Sequence, residues 1–189
     1  AHLKRLANHP KFKGVRPMIQ DIPDDAWMLR DDVQWAFRAI ADLGLRFDAL
    51  GFPRHLAHFH TLLNRYPDLQ TVIDHCMKPQ IRENSAAHLA LWSEGMSRLA
   101  DETAASVKFS ALITEANPDW TLEHLKPYTN HIFASFGPER SMWGSDWPVC
   151  RLRGEYADWH AAARSLTADL TDVDRALVFG GTAAAFYGL

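Results

Sequence analysis

Leu69-Gln70-Thr71-Val72-Ile73-Asp74-His75 is an apolar run that ends on two ionisable residues. A loop closed by Lys78-Pro79 separates it from a helical stretch, Ser85 to Glu102, in which Leu89, Trp92, Met96 and Leu99 recur on one face. A short apolar run, a turn, then a longer amphipathic helix is the unit of parallel α/β structure. The unit repeats outward in both directions. Upstream, Gly14 to Gln20 precedes a helical pattern over Asp31 to Leu43, stopped at Gly44, and Leu45 to Gly51 precedes a helix that opens near Pro53. Downstream, Ser106 to Leu112 precedes a helix from about Leu122, and Ser141 to Trp147 is followed by helical segments over Tyr156–Leu166 and Asp172–Tyr187.

Five such units predict one domain of parallel strands joined by right-handed crossovers. An open doubly wound sheet usually carries a glycine-rich phosphate loop at a strand-to-helix turn, and none is present. Gly180-Gly181 lies inside a helical pattern and reads as a close helix-packing site. The (β/α)8 barrel is the preferred class, although five strands are too few to close it. A partial barrel would leave two open edges and several hundred Å2 of apolar interior uncovered, which predicts association with another copy or a complementary N-terminal fragment.

The 189 residues are 47% hydrophobic and 23% charged with a net charge of −3, an ordinary globular composition that points to neither nucleic acid nor membrane surface. No apolar run approaches the roughly 20 residues of a membrane span. Two cysteines, Cys76 and Cys150, cannot build a disulfide framework, which suits a reduced, cytoplasmic protein.

Catalytic groups in parallel α/β folds gather where strands end. Here three runs end in a polar group: His75, Ser110 and Asp146. Strand alternation would send Asp74 toward the helix layer and His75 inward. The same alternation points Cys76 away, as a small buried thiol, and puts Lys108 and Ser110 on one face as interior filling. His55, His58 and His60 read as a solvated helix face. The tryptophans at 27, 35, 92 and 159 read as packing between helices and sheet, while Trp120 and Trp147 lie nearer the active face.

These strings together resemble one family. Trp143-Gly144-Ser145-Asp146-Trp147-Pro148 is similar to the final-strand signature of metal-dependent TIM-barrel hydrolases of the amidohydrolase superfamily. Asp74-His75-Cys76-Met77-Lys78-Pro79, Gly14-Val15-Arg16 and Val107 to Leu112 resemble, in order, segments of its lactonase-like branch, which includes L-fuconolactonases and 2-pyrone-4,6-dicarboxylate hydrolases. The resemblance runs from Phe12 onward and aligns the five strands with the fourth through eighth of that barrel. The family's first-strand H-x-H pair is absent, since His58-Phe59-His60 sits in a helical pattern; roughly three β/α units are expected to be missing.

The resemblance implies that Asp146 is a general base activating water, and that His75 ligates a metal or polarises a carbonyl. It also implies that a divalent metal, zinc by preference, would use His75 and Asp146 only if first-strand ligands were supplied; none is expected tightly bound to this chain alone. Arg16 and Lys78 are the expected anchors for an acidic or polyhydroxylated substrate, a sugar lactone or carboxylated lactone, with Trp147 lining its pocket. Two other readings stay open: a zinc-dependent decarboxylase of the same superfamily, and an inactive barrel fragment that acts only by association.

Overall fold

The computed structural model describes residues 2–83 and 85–189. Five strands, β1 (Gly14–Val15), β2 (Arg46–Ala49), β3 (Thr71–Ile73), β4 (Ser106–Phe109) and β5 (Ser141–Trp143), form one sheet in chain order with every neighbouring pair parallel. Strand order that follows chain order without reversal is how barrel staves are laid, whereas a doubly wound sheet reverses at a switch point. Helix α1 (His2–Ala7) leads into the sheet, and α2 (Gln34–Asp42), α3 (Leu56–Arg65), α4 (Ala86–Glu102), the single-turn α5 (Leu112–Glu115), α6 (Leu122–Phe136) and α7 (Tyr156–Leu166) make the connections. The chain closes with α8 (Asp172–Ala176) and α9 (Thr182–Tyr187).

Alternate strand residues build the core on the helix side. Phe47 lies 5.4 Å, centroid to centroid, from Phe37 of α2 and 6.4 Å from Phe59 of α3. Phe109 meets Phe133 of α6 at 5.2 Å and Trp159 of α7 at 5.3 Å. Ser85 caps α4 by accepting from His88 N at 3.4 Å, and Gly44, at φ +63°, stops α2 where the sequence places the stop.

The opposite, concave face is ionic where an apolar interior is expected. Lys108 Nζ lies 2.6 Å from Asp48 Oδ2 and 2.7 Å from Asp74 Oδ1, the second an ion pair without hydrogen-bond alignment. Arg16 Nη1 approaches Asp74 Oδ2 at 3.5 Å, and the Tyr187 hydroxyl donates to Asp48 at 2.9 Å. The apolar residues in the same register rows, Val72 beside Asp48 and Met142 beside Lys108, are buried. The expectation of uncovered apolar interior is therefore corrected. Helix α9 crosses the N-terminal ends of the strands: Arg46 donates to Phe186 O at 2.5 Å, Lys13 to Gly188 O at 2.8 Å, and Thr182 to Pro138 O at 2.8 Å.

Other expectations also change. Asp74 faces this ionic layer rather than the helix layer, because it lies two residues after Val72, the β3 residue that pairing sets beside Asp48 on that face. Trp92 and Trp159 are buried as expected, but Trp35 is 71% exposed. His55 is fully buried, its Nδ1 accepting from Phe52 N at 2.9 Å, because it closes the turn that starts α3. The last helical pattern is broken at Gly180, where the backbone is extended, and a Cβ there would meet nothing within 4 Å; close packing is not its reason.

Two outcomes follow for stability. Lys108→Met strands the Asp74 carboxylate in a site with no solvent, and is expected to lower unfolding free energy by ~3–5 kcal/mol. Replacing Phe109 with Ala is expected to cost ~3–5 kcal/mol, against less than about 0.5 for Trp35→Ala. Urea denaturation of the variants measures both, and a Lys108→Met protein as stable as the parent would contradict the ionic layer.

Candidate active site

The site begins where β3 stops. His75, Cys76, Met77 and Lys78 all take positive φ, between 50° and 57°, so the chain makes a tight left-handed turn instead of extending the strand. Such a conformation costs L residues about 1–2 kcal/mol each, so tertiary contacts must hold it. Trp92 Nε1 donates to Cys76 O at 2.7 Å, the Cys76 thiol to Lys108 O at 3.3 Å, and Lys78 N to His75 O at 2.8 Å. Met77 is buried in the core. The turn aims three neighbouring side chains at three environments, and His75 is the one delivered to the rim.

Asp146 arrives from β5. Gly144 continues the ladder by one bond, N to Phe109 O at 3.1 Å, and Trp159 Nε1 holds Gly144 O at 2.8 Å. Asp146 itself has φ +54°, and its carbonyl accepts from Cys150 N at 2.9 Å. This geometry places His75 Nε2 3.5 Å from Asp146 Oδ1 at the C-terminal rim, the two side chains 14% and 9% exposed. Asp146 Oδ2 accepts from the Thr114 hydroxyl at 2.8 Å, and Ser110 Oγ sits 2.8 Å from His75 Nδ1.

Burial drives the His75 pKa below the ordinary histidine value, against the opposing pull of Asp74 and Asp146. Its imidazole is therefore neutral at pH 7. Burial also raises the Glu115 carboxyl, with Lys78 and Arg82 working against the rise. Cys76 is no nucleophile: burial pushes its thiol up to about 12.

The expected residues are distributed unevenly. His75 and Asp146 come together. Lys78 Nζ donates to Gln20 Oε1 at 2.6 Å and lies 5.3 Å from the Phe52 ring centre, while Arg16 is tied to Asp74 with its side chain 47% exposed. Trp147 is 63% exposed, and Trp120 donates to Arg153 O at 2.9 Å. Sequence reasoning missed Thr114 and Glu115; their signal was a polar pair directly after an apolar run that was read as strand. A groove of 460 Å3 on the outer layer between α3 and α4, lined by Pro53, Ala57, His60 and Arg98 among others, includes neither member of the pair.

A catalytic zinc takes about three protein ligands, and the pair offers two. Among the described residues no group of three or more His, Cys, Asp or Glu side chains is arranged to hold a metal ion. No described helix is long and apolar enough to cross a membrane.

The family model described as "Amidohydrolase" matches residues 1–189. The chain is 41% identical over 191 residues to the L-fucono-1,5-lactonase of Burkholderia ambifaria, covering 99% of this chain and 65% of that protein. The L-fucono-1,5-lactonase of Burkholderia multivorans is 33% identical over 192 residues, with 95% and 64% covered. The chain thus spans just under two thirds of the length of these relatives. An amidohydrolase structure from Burkholderia multivorans with bound zinc superposes with a TM-score of 0.93 at 29% identity, over 100% of this chain and 69% of that one. A probable 2-pyrone-4,6-dicarboxylic acid hydrolase from Acinetobacter baumannii, with citric acid bound, shares the fold at a TM-score of 0.77 and 19% identity, covering 94% and 64%. This chain belongs to the amidohydrolase family, and its five parallel strands are part of that family's TIM-type barrel.

Proposed function

We propose that this chain forms the catalytic wall of a hydrolase that opens a sugar lactone by water attack. The observation that carries the reading is the opposed pair at the rim, His75 Nε2 and Asp146 Oδ1 at 3.5 Å. The two curated relatives named as L-fucono-1,5-lactonases support the substrate class. Asp146 Oδ1 takes a proton from water as its oxygen bonds to the lactone carbonyl carbon. The carbonyl electrons move onto oxygen, where the neutral His75 imidazole donates an N–H to the oxyanion. The ring C–O bond then breaks, the leaving oxygen takes the proton, and a hydroxy acid results.

Arg16 presents guanidinium donors beyond its single contact with Asp74 to a substrate carboxylate or hydroxyl, Lys78 adds a point charge, and the exposed Trp147 ring stacks on the sugar. If further ligands came from outside the described residues, His75 and Asp146 would be this chain's share of a divalent metal site, the metal serving to polarise the carbonyl. Two buried, unpaired thiols suit a reducing compartment such as the cytoplasm.

Asp146→Asn in the whole protein is expected to lower kcat for L-fucono-1,5-lactone by about 10²–10⁴-fold, measured by proton release. Retention of more than about a tenth of the parent rate would overturn the base assignment. With His75 held neutral by burial, kcat/KM is expected to stay flat as pH falls through the ordinary histidine value of about 6.5. A histidine-type inflection at or above that pH would contradict it.

A further inference from the structure

β3 and β5 lead to His75 and Asp146, and the segment after the strand between them brings a hydroxyl to each, Ser110 to His75 and Thr114 to Asp146. We propose that the loop leaving β4 is the positioning element of the site. In it Ser110 fixes the ring and tautomer of His75, and Thr114 decides which Asp146 oxygen is left free to act. The inference rests on the roles given to His75 and Asp146 above.

Ser110 is 1% exposed, and it cannot easily swing away: a Cβ at Gly144 would already lie 3.1 Å from the Ser110 Cβ. Its hydroxyl proton has two places to go, His75 Nδ1 at 2.8 Å or Lys108 O at 3.4 Å, and the second already accepts the Cys76 thiol. We assign the proton to the shorter contact, with His75 Nδ1 as acceptor. With Nδ1 accepting, the neutral ring carries its proton on Nε2, the nitrogen that faces Asp146 and the rim. Ser110 is too enclosed to serve as a nucleophile and is well placed to orient one.

Thr61 and Thr129, in mid-helix, bond back to the carbonyl four residues earlier, at 3.0 and 3.1 Å, whereas Thr182, in the first turn of α9, donates across to Pro138 O at 2.8 Å. Thr114, in the single turn of α5, likewise sends its proton across, to Asp146 Oδ2 at 2.8 Å. It occupies that oxygen and leaves Oδ1 toward His75. The turn is anchored from both neighbouring loops: Arg82 donates to Thr114 O at 2.6 Å and Ala116 O at 3.3 Å, and Arg153 donates to Ala116 O at 3.1 Å. Ala111, at φ +59°, makes the bend that lets residues four apart reach two different strands.

The test has two arms. In ¹⁵N NMR of the metal-free protein at pH 8, the His75 ring is expected to show a protonated Nε2, and Ser110→Ala to shift it toward a tautomer mixture. In lactone hydrolysis, Thr114→Val is expected to lower kcat by about 10–100-fold with KM changed less than about twofold, and Thr114→Ser to restore the rate to within about threefold. Crystals of the Thr114→Val variant are expected to show the Asp146 carboxylate rotated. If the parent hydrolyses no lactone, the proposed function falls, while the NMR and crystal readouts still decide the positioning roles. An unchanged His75 tautomer in Ser110→Ala, or an unmoved Asp146 in Thr114→Val, would overturn this inference.

Discussion

A carboxylate with no exposed surface must be compensated, and Asp74 is that carboxylate. Lys108 answers it from β4 and Arg16 from the segment after β1, while Lys108 also binds Asp48 of β2, which takes the Tyr187 hydroxyl from the end of the chain. Burial by itself would depress the Lys108 pKa; Asp74 and Asp48 outweigh it and raise the value instead. One charge cluster therefore connects four strands and the C-terminal helix through the concave face. Removing any one of its four charged members leaves the rest unbalanced, which makes the cluster a constraint on strand register as much as a source of stability. Asp74 also immediately precedes His75, so the fold's central ion pair anchors the start of the left-handed turn.

The architecture was legible because its signal is periodic. Apolar runs and helical spacing put all five strands and most helices where the structure has them, and α7 begins and ends at the residues expected. The meeting of His75 and Asp146 was legible from strand ends alone, since parallel strands bring their C-termini to one rim. What escaped was whatever depends on contacts across the fold. Alternation holds through Asp74, but which face it takes is set by pairing with β2; alternation fails at His75, where the backbone turns left-handed under contacts from Trp92, Lys108 and Ser110 rather than by the choice of the local residues. Thr114 was hidden in the stretch between the run Ser106–Leu112 and the helix from about Leu122, because nothing in Leu112-Ile113-Thr114 announces a single helical turn. The polarity of the concave face was hidden too, since a lysine and two aspartates on separate strands look unrelated until pairing aligns them.

The site and the seal occupy opposite ends of the sheet. Loops after β3, β4 and β5 carry the residues proposed for the chemistry, while α9 ties together the ends from which β1, β2 and β5 start. Such a division lets residues of the rim vary without loosening the base, a property that suits the TIM-barrel plan to many reactions.

The left-handed turn at His75 has a consequence for how the site comes into being. Nothing in His-Cys-Met-Lys favours four successive positive φ angles, so a peptide of this segment alone would populate the conformation rarely. Its geometry is imposed by the indole of α4, the carbonyl of β4 and the packing of Met77. The position of the imidazole is then a property of the assembled core rather than of its own loop. Substitutions that merely soften packing around Trp92 or Met77 would blur the placement of the His75 ring before they unfold the protein.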